Sequence, residues 1–121
     1  MATLLLLKIE SMVDQPAIKY LRDLAKQLEG NDYFDENAKE FIEWANWLKK
    51  DIEYQSRDQS ILAELRKLPE IEIQAYSRSL LEQLLPKNQR NMVGKYKTRE
   101  IIRGKVQQTM RIFEQIDRWT S

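Results

Sequence analysis

Cysteine and histidine are both missing from the 121 residues. Without cysteine there is no disulfide framework and no thiolate metal site. Without histidine, imidazole acid–base catalysis, histidine-dependent nucleophilic triads and almost every zinc site are excluded. Glycine and proline are scarce, three of each, so little in the chain interrupts regular helix. No apolar run approaches the ~20 residues of a membrane span. The opening run Leu4–Leu7 ends at Lys8 and Glu10 and lacks the positive lead of a secretory signal, so the expected location is cytoplasmic, with no membrane contact. No cofactor motif occurs, and none is expected.

What is present is a periodic helical pattern. Apolar residues recur at three- and four-residue spacing, and an apolar content of 42% with 32% charged residues suits a folded chain. The expected fold class is all-α: one compact helical bundle of about five to six helices over residues 1–121, large enough to bury about two-thirds of its unfolded surface. A short first helix is expected over Thr3–Val13. Asp14 is placed to cap a second, with Pro16 in its first turn and Ala17, Ile18, Leu21, Leu24, Ala25 and Leu28 as its stripe. Gly30 stands where a left-handed C-terminal cap belongs. A third helix is expected from near Asp35 to about Gln55, buried through Phe34, Ala38, Phe41, Ile42, Ala45, Leu48 and Ile52. Ser56 or Asp58 would cap a short helix bearing Ile61, Leu62, Leu65 and Leu68. Another would run from Pro69 through Ile73, Tyr76, Leu80, Leu81 and Leu84 to Pro86. The last carries Ile102, Val106, Thr109, Phe113 and Ile116 in one narrow sector.

Charge is segregated. Residues 1–86 hold 11 basic and 16 acidic side chains, whereas Lys87–Arg111 holds eight basic residues against Glu100 alone. The eight are Lys87, Arg90, Lys95, Lys97, Arg99, Arg103, Lys105 and Arg111. Such a patch is the footprint of a surface that meets phosphates. If one helix ran through this stretch, Met92, Val93 and Tyr96 would project away from the sector of Ile102–Ile116 and Lys95 would fall inside it. A loop between Gly94 and Thr98, with Thr98 capping the resumed helix, removes both conflicts. The expectation is therefore a basic loop followed by a basic helix, in which backbone amides near Asn91 and Gly94 approach an anion and Tyr96 stacks on an unpaired base. No recognition-helix signature is present, so backbone contact without base reading is expected. The plainer alternatives are a solvated helix face, or a positive patch docked on the chain's own acidic body.

Taken with the length and the helical pattern, the run from Lys87-Asn88-Gln89-Arg90 through Lys95-Tyr96-Lys97-Thr98-Arg99 to Arg103-Gly104-Lys105 resembles the small helical subunit of Cascade-type CRISPR interference complexes. That resemblance implies a non-catalytic subunit of a ribonucleoprotein complex. It would be present in several copies, packed on other subunits and on copies of itself, and would touch a DNA or RNA backbone through basic side chains.

Two other groups have simpler roles. Glu36, Glu40 and Glu43, preceded by Asp32 and Asp35, have a spacing that suits a divalent ion, but helical di-metal sites of this kind use Glu-x-x-His pairs. Acidic residues at a helix start are stabilised by its dipole in any case. Trp44 and Trp47 belong to the core or to its edge at a partner interface. In a second functional class, a helical protein–protein adaptor without nucleic-acid contact, they and the Leu4–Leu7 run would be the anchors, and the basic segment would meet an acidic partner.

Overall fold

The computed structural model describes the backbone of residues 11–71 and 87–121, and the side chains of 11–71 and 98–121. Within these the chain is all-helical, with four helices: α1 (Gln15–Gln27), α2 (Phe34–Gln55), α3 (Gln59–Leu65) and α4 (Lys87–Thr120). The helices expected before Ser11 and over Ile73–Leu84 lie outside the described residues. Ser11, Met12 and Val13 are not helical. Among the described residues no helix is long and apolar enough to cross a membrane.

Local chemistry sets most of the ends. The Asp14 carboxylate accepts a hydrogen bond from the Ala17 amide at 3.0 Å, with Pro16 in the first turn of α1. Asp58 caps α3 by accepting from Ser60 N at 2.8 Å. Ser56 is buried and its hydroxyl accepts from Asp58 N at 3.2 Å, which tightens the corner between α2 and α3. The turn between α1 and α2 departs from expectation. No described glycine has positive φ, so Gly30 is not a left-handed cap. The left-handed residue is Tyr33, at φ 52° and ψ 34°, immediately before α2. It supplies no side-chain cap, and Asp35 and Glu36 in the first turn offset the exposed amides through the helix dipole.

The core is continuous from Val13 through Leu21, Phe34, Phe41, Leu48 and Leu65 to Phe113 and Ile116. Helix α1 is sandwiched between α2 and α4 and runs antiparallel to α4. Ser11 meets Thr120, Gln15 meets Asp117, Arg22 meets Glu114 and Leu28 meets Arg103. The buried face of α4 is Ile102, Val106, Thr109, Met110, Ile112, Phe113 and Ile116, which contains the whole expected stripe.

The expected break between Gly94 and Thr98 is absent, and α4 is helical throughout its 34 residues. At 1.5 Å per residue it is about 51 Å long, far longer than the ~20 Å of α1. The phase conflict assumed that one core faces the entire helix. The described core engages α4 only from Ile102 onward, so the register of residues 87–97 need not match it. The segment 87–111 is therefore one basic helix and not a loop followed by a helix.

Candidate nucleic-acid interface

A continuous α4 sorts the basic residues by register. At about 100° per residue, positions 87, 90, 97 and 105 share a sector about 80° wide, while 99 and 103 lie on the opposite flank of the core stripe. The side chains of Lys87, Arg90, Lys95 and Lys97 lie outside the described residues, as do those of Asn91 and Tyr96. Four of the eight candidates, Arg99, Arg103, Lys105 and Arg111, can be followed in atomic detail.

Arg103 faces inward, with its side chain 18% exposed. Its Nε donates to the Leu28 carbonyl at 2.8 Å, and one terminal nitrogen donates to the Gly30 carbonyl at 3.1 Å and to Asn31 Oδ1 at 2.7 Å. The other donates to Glu100 Oε1 at 2.7 Å. The guanidinium carbon also stands 5.0 Å from the Phe34 ring centre, in cation–π range. The last carbonyls of α1 are met locally, at Leu24, Lys26 and Gln27, by the amides of Leu28, Glu29 and Gly30, and the Arg103 fork holds the turn that follows through the Leu28 and Gly30 carbonyls. These i→i−3 and i→i−4 backbone bonds close the end of α1 without a left-handed glycine. Arg99 reinforces the arrangement, 5.1 Å from the same ring and 3.3 Å from Asn31 Oδ1. Expected as phosphate ligands, these two arginines form a structural clamp on the end of α1. Lys105 is also engaged, donating to the Glu70 carbonyl at 2.8 Å.

Arg111 is exposed and lines an open groove of about 490 Å³ between α1 and α4. Ala25, Leu28, Val106 and Met110 form its floor, and the cations Arg22, Lys26, Arg103 and Arg111 rim it against the two carboxylates Glu29 and Glu114. Arg22 pairs with Glu114 at 3.1 Å. Among the described residues neither Lys26 nor Arg111 has an ion-pair partner. An anion entering here meets an excess of positive charge contributed by two helices. The chemistry available is charge-assisted hydrogen bonding from Lys and Arg to phosphate oxygens.

Arg22 and Lys26 were not among the expected site residues. They lie in a stretch of net negative charge, and only the antiparallel docking of α1 on α4 brings them beside Arg111. The signal available in sequence was their one-turn spacing on the flank of α1 away from the core stripe.

The other singled-out residues lie elsewhere. Trp44 and Trp47 are surface residues at the α1–α2 seam, 38% and 46% exposed. Glu40 accepts a hydrogen bond from the Tyr20 hydroxyl, which holds that phenol above its ordinary pKa. Among the described residues, no three carboxylates converge as a metal site would require. No protein family matches the chain, and comparison with curated proteins and with solved structures finds no match.

Proposed function

We propose that this chain is a non-catalytic subunit that contacts the sugar–phosphate backbone of nucleic acid through its basic C-terminal surface, within a multi-protein RNA-guided DNA-targeting complex of the CRISPR interference kind. The observation that carries the contact is the α1–α4 groove, where among the described residues Lys26 and Arg111 stand without ion-pair partners beside a helix that holds eight cations within residues 87–111. The continuity of α4 supports it further, because one uninterrupted helix carries the basic positions 87–111. The assignment to an RNA-guided complex follows from the resemblance of the basic run and the helical pattern to the small Cascade subunit. Contact without base reading follows from the lack of a recognition-helix signature in the sequence.

The test is binding of labelled single-stranded and double-stranded DNA across a salt series. Affinity should fall steeply with salt, and Lys26→Ala with Arg111→Ala should reduce the log–log slope by about 1.5 to 2 units. Arg99 and Arg103 are poor choices for this test, because their loss would loosen the fold. A flat salt response, or a double variant that binds like the parent, would refute the reading.

A further inference from the structure

Beyond nucleic-acid contact, we infer that the seam between α1 and α2 is a docking groove for a cationic, leucine-bearing peptide segment of another protein. The open groove has a volume of about 620 Å³ and is walled by Pro16, Ala17, Trp44 and Trp47, with the carboxylates of Asp14 and Glu43 at its rim. Both tryptophans are exposed by more than a third. They are held in place by edge-to-face packing, Tyr20 on Trp44 at 5.2 Å and Trp44 on Trp47 at 5.9 Å. Tyr20 is in turn fixed by its hydrogen bond to Glu40. Aromatic walls already fixed in this way lose little side-chain entropy when they take up a partner.

Charge complementarity selects the partner. At about 100° per residue, the outward sector of α2 that carries Trp44 and Trp47 also carries Glu36, Glu40, Glu43 and Asp51, and no lysine or arginine falls within it. A phosphate backbone would be repelled by such a face. An arginine or lysine is attracted twice, by the carboxylates and by the tryptophan faces, and the apolar walls take an aliphatic side chain beside it. This groove lies on the opposite flank of α1 from the groove lined by Arg22, Lys26 and Arg111, so the two can be occupied together.

The experiment is fluorescence anisotropy of a labelled Ac-RLLRRLLR-amide peptide titrated with the full chain, alongside its glutamate counterpart Ac-ELLEELLE-amide. The arginine peptide should bind and the glutamate peptide should not. Trp47→Ala should weaken binding at least about tenfold. Glu43→Lys should weaken it about five- to tenfold, with the loss shrinking in high salt. Circular dichroism should show both variants folded, since both side chains face solvent. No binding up to about 1 mM, equal binding of the two peptides, or variants that bind like the parent would each overturn the proposal. If serine at Leu4–Leu7 tightens peptide binding more than about tenfold, the chain's own amino-terminal run is the occupant and the proposal fails. If sedimentation shows a dimer that Trp47→Ala dissociates, a second copy is the occupant, and it fails equally.

Discussion

Replacing Arg103 with alanine removes a clamp on the turn after α1, and the cost follows from what its guanidinium holds. The bond to the Leu28 carbonyl is the most valuable, because Leu28 is buried and a carbonyl there reaches water poorly. A charge-assisted bond of that kind contributes about 1.5 kcal/mol. The bonds to Gly30 and Asn31 are exposed, and water replaces them at a cost of about 0.5 kcal/mol between them. The Glu100 pair contributes little in solvent, and contact with the Phe34 ring adds about 0.5–1 kcal/mol. Arg103→Ala should therefore destabilise the protein by about 2–3 kcal/mol, a fall in Tm of about 10 °C for a chain of this length. Arg103→Lys keeps the charge but not the planar fork, and should lose about half as much. Urea unfolding followed by tryptophan fluorescence and far-UV circular dichroism reads both, with Arg111→Ala as a comparator expected within about 0.5 kcal/mol of the parent. If Arg103→Ala unfolds at the parent's urea midpoint, the guanidinium does not hold α1, and its place in the fold is misread.

Other perturbations test separate parts of the structure. Phe113→Ala empties the middle of the core, where the ring is fully buried, and should cost about 3–5 kcal/mol by urea unfolding. Asp14→Ala removes the α1 cap and should cost about 1 kcal/mol, with loss of helical signal confined to that helix. Tyr33→Asn relieves a left-handed backbone on a side chain that is 78% exposed, and should stabilise by about 0.5–1 kcal/mol in thermal melts. The Tyr20 phenol, raised by its bond to Glu40, should titrate above the ordinary tyrosine value of 10.0 in ultraviolet difference spectra. Because its folded pKa lies above its unfolded one, the stability it contributes is complete below about pH 10 and is lost as pH rises through the folded value. Glu40→Gln should move the titration back toward the ordinary value.

The helical periodicity read directly from sequence located α2 to within a residue, the Asp14 cap, Asp58 as one of two candidate caps beside Ser56, and the stripe of α4 from Ile102 to Ile116. These rest on contacts a few residues apart, which one-dimensional patterns record. The misreadings arose where a distant partner decided the outcome. Gly30 stands where a left-handed cap belongs, yet local amides close the end of α1, and nothing nearby in sequence shows that Arg103, more than 70 residues away, holds the turn that follows. Gly94 and Thr98 looked like a break because Lys95 fell on the apolar register, but among the described residues the core engages α4 only from Ile102 onward. The candidate site was legible as a charge run and illegible as a surface. Arg99 and Arg103 turned inward toward Phe34, while Arg22 and Lys26 joined Arg111 from a helix whose surrounding sequence is acidic.

The antiparallel seam between α1 and α4 also has a mechanical consequence. Ser11 is bonded to Thr120, then Gln15 to Asp117, then Arg22 to Glu114, with the Arg103 fork at the far end. A force applied between residues 11 and 121 pulls at one end of this ladder and breaks its rungs one at a time, as a zipper opens. A force applied between residues 28 and 121 slides the two helices past each other and loads every rung together. The same protein should thus yield at low tension when pulled by one pair of handles and resist when pulled by the other.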